Sequence, residues 1–222
     1  MKAKRGRRIT RLEAFSDGVF AFSATLLVVS LEVPRTFPEL LADLKGFGGF
    51  ALSFAALILI WSVHNGFFRR FDLEDNVTIA LNGLLLFVVL FYVYPLKFMA
   101  TGIMAGFFGA ADGGIRSSIT GPAELGQLFV LYGAGFMAIF LCMMLLYRRA
   151  LALRVPLELD EQEIFEARFF SRHYGLYALV GLLSVLAALS GVGLRYGAPG
   201  WVYFLIGPLT FTHARISYRG RE

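Results

Sequence analysis

A single cysteine, Cys142, and three widely separated histidines leave little for covalent or metal chemistry to be built on. One thiol forms no intrachain disulfide and no cysteine cluster, and inside an apolar run it reads as a small packing residue. His64, His173 and His213 fall on different apolar runs, with no spacing that suggests a shared metal site. Charge is also scarce: 17% of residues are charged, against about 25% in an ordinary soluble domain. There is no H-E-x-x-H, no G-x-S-x-G and no Walker-type G-x-x-x-x-G-K-[ST] in the chain. The glycines from Gly102 to Gly114 lack the strand-to-helix setting of a phosphate cradle and read as a flexible outer loop. Without a clustered nucleophile, metal triad or acid/base pair, an enzyme is the weakest reading, and no cofactor is implied.

What the chain has in abundance is apolar length. Hydrophobic residues make up 57% of its 222 residues, and the mean hydropathy is +0.66. A bilayer core about 30 Å thick takes roughly 20 apolar helical residues to cross. Apolar runs read against helix breakers give an all-α integral membrane protein, a single domain over 1–222. Its expected spans are 12–33, 45–68, 76–98, 125–147, 173–194 and 199–217. Asp160 and the acidic turn after it predict a short helix leading into the fifth span, a solvated helix N-terminus rather than a cation site.

Charge placement tests the count. With six spans, sixteen Lys and Arg fall on the side of the termini and five on the other. By the positive-inside rule both termini are expected in the cytoplasm, with the protein a multi-pass component of the cell (inner) membrane. The basic N-terminal residues are thus explained by topology, and no nucleic-acid partner is invoked. A cleaved signal peptide fits poorly, because the first apolar run exceeds a typical h-region, contains Asp17 and lacks an A-x-A-like site before Pro34.

The first span carries the densest information. At about 100° per residue, Phe15, Gly18, Val19, Phe22, Leu26 and Val29 fall along one face, with Thr25 beside it. Asp17 lies about 140° from Phe22 by the same geometry, turned toward other helices of its own subunit. Arg11 is six residues before Asp17, outside the i,i+3 and i,i+4 pairings, so its partner is expected on another helix or at the surface. Trp61, His64 and Asn65 on the second span and Asn82 on the third sit at a depth comparable to Ser16 and Asp17. A buried Asp–His or Asp–Asn network would satisfy groups that lipid cannot. It would serve equally as a structural clamp or as a proton relay.

Arg11-x-x-x-Phe15-Ser16-Asp17, followed by the run Gly18 to Val28 with Ala21-x-x-x-Thr25-Leu26-Leu27-Val28, closely resembles the endosomal/lysosomal potassium channel family (transmembrane protein 175). It is most similar to the single-repeat prokaryotic members. Trp61-x-x-His64-Asn65, Asn82-x-Leu84-Leu85 and Pro95 extend the resemblance over about the first 100 residues. It implies a six-helix subunit forming a homotetramer, with the first helices lining a central pore that passes K⁺ and other monovalent cations. On this chain the implied pore residues are Phe22, Leu26 and Val29, with Thr25 close by, while Arg11, Phe15, Ser16 and Asp17 match the motif that orients the helix. Two positions depart from the family: His64-Asn65 stands where paired histidines are frequent, and Phe22 stands where Ile or Leu is common. No T-V-G-Y-G-like carbonyl filter is present, so the resemblance implies an apolar constriction that can close by dewetting. Thr25 hydroxyls are the candidate ligands for a partly hydrated ion.

Three readings fit the sequence: a potassium-permeable channel, a proton-conducting channel or proton-linked transporter using Asp17 and His64, and a non-conducting membrane scaffold in which the stripe is only an oligomer interface.

Overall fold

The computed structural model describes residues 9–29, 35–108, 119 and 121–219. Its helices are α1 (Arg11–Val29), α2 (Phe37–Phe68), α3 (Asn76–Phe108), α4 (Pro122–Ala152) and α5 (Glu161–Ser190). A 3-10 turn at Leu194–Tyr196 then leads into α6 (Ala198–Trp201), a second 3-10 turn at Val202–Leu205, and α7 (Ile206–Arg219). By length and composition, Phe47–Phe68, Asn76–Met104, Pro122–Ala152 and Glu161–Ser190 can each cross a bilayer. α1 carries Arg11, Glu13 and Asp17 within 19 residues, so its membrane placement rests on its packing. The run expected at 199–217 is helical from Ala198 to Arg219, but with a 3-10 interruption and a polar C-terminal half.

Local chemistry explains several boundaries. The Thr10 hydroxyl accepts from the Glu13 N–H (3.1 Å), and the Glu13 carboxylate accepts from the Thr10 N–H (2.9 Å). This reciprocal cap opens α1. Asp160 and Glu163 form the same device, with bonds of 2.8 and 2.9 Å, at the start of α5. From there α5 runs unbroken to Ser190, so the short helix expected ahead of the fifth span is simply its first turns. Gly191, at φ +71°, closes α5 in the left-handed conformation that glycine adopts without strain.

The third helix departs most from expectation. It passes through Pro95 and continues to Phe108, so Gly102 lies within a helix rather than in an outer loop. The reason is the seam with α2: a Cβ at Gly49 would sit 2.6 Å from the Thr101 Cα. Backbones meet there at small-residue distance, and that contact holds α3 helical beyond the expected end at 98. The rest of the expected loop, 109–118, lies outside the described residues.

The α4–α5 hairpin makes the most extensive helix–helix contact; α3 packs on α4 and α2, and α1 packs on α2 and α3. Tyr147, fully buried, centres an aromatic cluster with Phe67 (5.0 Å), Phe170 (5.4 Å), Tyr174 (5.6 Å) and Phe71 (5.8 Å). Two ion pairs bind the α2–α3 turn to the hairpin: Arg70 to Glu166 at 3.0 Å and Arg149 to Asp75 at 2.8 Å. Desolvation would raise the Asp75 carboxyl, but hydrogen bonds from Thr78, Arg149 and the Val77 N–H prevail and hold it below its ordinary 3.8.

Candidate functional site on the first helix

α1 has two sharply different faces. Ser16, Phe20, Ser23 and Leu27 are buried at intervals of four, three and four residues, so they form one inward stripe. The opposite face falls about two residues on and comprises Gly18, Ala21, Phe22, Thr25 and Val28, flanked by Phe15, all exposed on the single chain. Phe15 and Phe22 are 63% and 57% exposed, values no packed aromatic core would show.

This geometry rotates the sequence-derived stripe. Val19 and Leu26 are half-buried and pack against the core. Thr25 stands on the exposed face itself rather than beside it. Ranking positions by hydrophobicity pulls the stripe toward Val19 and Leu26, whereas small and polar Ser16 and Ser23 occupy the buried side because their hydroxyls are satisfied within the helix. Ser16 Oγ donates to the Leu12 carbonyl (2.8 Å) and Ser23 Oγ to the Val19 carbonyl (2.9 Å). The Val29 side chain lies outside the described residues.

A polar chain fixes the inward face. Asn82 Nδ2 on α3 donates to Ser16 Oγ at 2.9 Å, and Asn82 Oδ1 meets His64 Nε2 of α2 at 2.7 Å. All three side chains are buried, between 0% and 2% exposed. The amide oxygen only accepts, so His64 carries its proton on Nε2 in this bond. Phe20 (5.3 Å) and Phe68 (4.8 Å) wall the imidazole off. One asparagine thus joins α1, α2 and α3 by its two ends.

Asp17 takes a separate partner. Its Oδ1 accepts from Trp61 Nε1 at 2.8 Å, a second tie between α1 and α2. Asp17 and His64 therefore end in different hydrogen bonds, and the Asp–His or Asp–Asn link expected from depth is replaced by a Ser–Asn–His one. The 100° between consecutive helical residues explains the exchange: Ser16 points at α3 where Asp17 points past it. Asn65 is half-buried and stands outside this chain of bonds, and Arg11 is exposed on the first turn of α1. Among the described residues, no group of three or more His, Cys, Asp or Glu side chains could hold a metal ion.

Sequence reading overlooked the Thr10–Glu13 cap, although Thr10-x-x-Glu13 is a recognisable signature for it. It also overlooked Lys97, whose Nζ donates to the Leu27 carbonyl (3.4 Å) near the other end of α1.

The fold and site define an all-α integral membrane protein whose first helix is held on one face by buried polar bonds and left open on the other. Residues 11–92 match the family model of the endosomal/lysosomal potassium channel TMEM175. A protein of Marivirga tractuosa named potassium channel is 40% identical over 220 residues, covering 96% of this chain and 89% of that one. A second, from Chamaesiphon minutus, is 36% identical over 98 residues, 40% of this chain and 48% of its own length. The solved structure of a threonine-to-alanine variant of the potassium channel MtTMEM175, in complex with a nanobody–MBP fusion protein, superposes with a TM-score of 0.86. Its identity is 39%, with 98% of this chain and 97% of that chain covered. A lysosomal potassium-selective channel TMEM175 homologue from Chamaesiphon minutus aligns at TM-score 0.53 and 25% identity, over 88% and 96% of the two chains. The chain belongs to the TMEM175 family.

Proposed function

We propose that this chain is a potassium-permeable channel, active as a homotetramer in which the exposed face of α1 lines a central pore. The observation that carries the reading is the asymmetry of α1. Its inner face is bonded to α2 and α3, while Phe22, Thr25 and Val28 are presented outward on a helix with three charged residues in its first two turns. A face of that kind suits an axis shared with other copies better than bare lipid. Four Phe22 rings form the apolar constriction, with Leu26 and Val29 at the margin of the same path. The Thr25 hydroxyl oxygen, one turn further on, coordinates a partly hydrated K⁺, which sheds water more readily than Na⁺. No cofactor is required. Arg11, Phe15, Ser16 and Asp17 position the helix, supported by Trp61, His64, Asn65 and Asn82. Both termini lie on the cytoplasmic side of the cell membrane, the side on which sixteen of the basic residues fall.

A proton relay through Asp17 and His64 is poorly served by this arrangement, because the imidazole is walled by aromatic rings and its Nε2 is engaged by Asn82.

The test is ion flux into liposomes containing the purified protein, under K⁺ or Na⁺ gradients, with protein-free liposomes as control. The expected result is flux that prefers K⁺, increased by Phe22→Ala and made less selective by Thr25→Ala. Silence of both the wild type and Phe22→Ala would assign the exposed stripe to a scaffold interface instead.

A further inference from the structure

The corner of the molecule where α5 meets α7 is basic as well as aromatic. Arg168 and Arg172 stand one turn apart on α5, and Arg215 and Arg219 one turn apart on α7; all four are exposed, and none forms an ion pair among the described residues. Arg70 and Arg149, nearby in the same end of the bundle, are each neutralised by a carboxylate. The two helices are stitched together through rings, with Tyr218 5.6 Å from both Phe165 and Phe169, and His173 5.9 Å from His213. Along α7, Phe211, Arg215, Tyr218 and Arg219 line one shallow groove, so the face alternates ring and guanidinium. Phe211 is 66% exposed.

We propose that this corner binds the headgroups of anionic phospholipids, with the four arginines on the phosphates and Phe211 in the acyl boundary. Guanidinium groups match phosphate oxygens bidentately, and an amphipathic helix with aromatic and basic residues settles at the membrane surface. Topology assigns the partner. α1 packs on α2 and α3, whereas α7 packs on α5 and the 3-10 turn before it. If α1 faces the pore axis, α7 faces away from it, toward lipid; this step rests on the channel reading.

The experiment is native mass spectrometry of the full-length protein with phosphatidylglycerol or phosphatidylcholine of matched chains. The wild type is expected to retain phosphatidylglycerol preferentially. Each Arg→Gln substitution at 168, 172, 215 or 219 should weaken that retention by about fivefold. The fourfold Gln variant loses the preference, and the fourfold Arg→Lys variant, which preserves charge but not the bidentate fork, keeps only part of it. Equal retention of the two lipids by the wild type, or a fourfold Gln variant that keeps its preference, would overturn the site, and a Lys variant that keeps all of the preference would overturn the bidentate guanidinium contact. Potassium flux measured on the same preparations separates the two proposals. Lipid preference without flux breaks the channel reading alone, and flux without preference breaks the lipid site alone.

Discussion

Among the described residues the first three helices bury six polar side chains, whereas the α4–α5 hairpin buries two, Ser171 and Ser184, and is seamed chiefly by aromatic rings. Ser16, Ser23, Ser53, His64, Thr78 and Asn82 lie inside α1–α3, and the bonds among Ser16, Asn82 and His64 run from helix to helix. Across the hairpin the contacts are Phe136, Phe140, Tyr147, Tyr174 and Tyr177, stacked and tilted at 4.6 to 6.2 Å. Polar bonds specify one register and one rotation of α1, since a misplaced donor in an apolar interior is costly. Ring packing tolerates more sequences for the same volume. The difference teaches where positional precision is needed: on the helix that presents the proposed pore face, not on the buttress behind it.

The largest effect should come from removing the buttress at its centre. Tyr147→Ala empties a fully buried site and is expected to cost about 3–5 kcal/mol, read as a fall in the thermal unfolding midpoint of the detergent-solubilised protein. Next comes the polar joint. Asn82→Leu strands His64, whose hydrogen-bonding partner among the described residues is that amide, while Ser16 still donates to Leu12; the expected cost is about 1–3 kcal/mol. If the joint orients α1, this variant also changes ion selectivity, which Tyr147→Ala at matched stability does not. Trp61→Phe removes the bond to exposed Asp17 and should cost below about 1 kcal/mol. Tyr147→Phe sharpens the contrast from the other side: among the described residues the buried Tyr147 hydroxyl makes no well-formed hydrogen bond and has only the Arg70 guanidinium near it, so its loss should change stability by less than about 1 kcal/mol.

The smallest expected effect is one of pH. Because the folded protein holds the Asp75 carboxyl below 3.8, the Arg149 pair contributes its full stability above that value. The contribution fades as pH falls through the lowered folded value. Asp75→Asn should flatten this acid limb in thermal unfolding scans between about pH 5 and pH 2.

Much of this architecture was legible in the sequence, for identifiable reasons. Uncharged runs bounded by Arg69-Arg70 and Arg148-Arg149 mark helices without any knowledge of packing, and Asp160 with Glu163 announces a helix start. The motif residues Arg11 to Asp17 point to the family from a short stretch. What the sequence concealed depends on distance in space. Gly49 looks like any other glycine until Thr101 is brought against it, and only then does the continuation of α3 past residue 98 make sense. Likewise, a hydrophobic ranking of α1 leaves Ser16 and Ser23 off its stripe, yet each has a backbone carbonyl one turn back to satisfy its hydroxyl and can be buried against α2 and α3.

The hydroxyl of Thr25 is committed in the same manner, donating to the Ala21 carbonyl at 3.0 Å. With its proton directed back along the helix, the oxygen offers only lone pairs to whatever passes its exposed side. Its neighbours on that face, Gly18, Ala21, Phe22 and Val28, add no side-chain donor. On the proposal that this face lines the pore, chloride would find no donor there to replace its water, whereas a cation would find an acceptor, so a preference for positive charge would follow without a carboxylate among those residues.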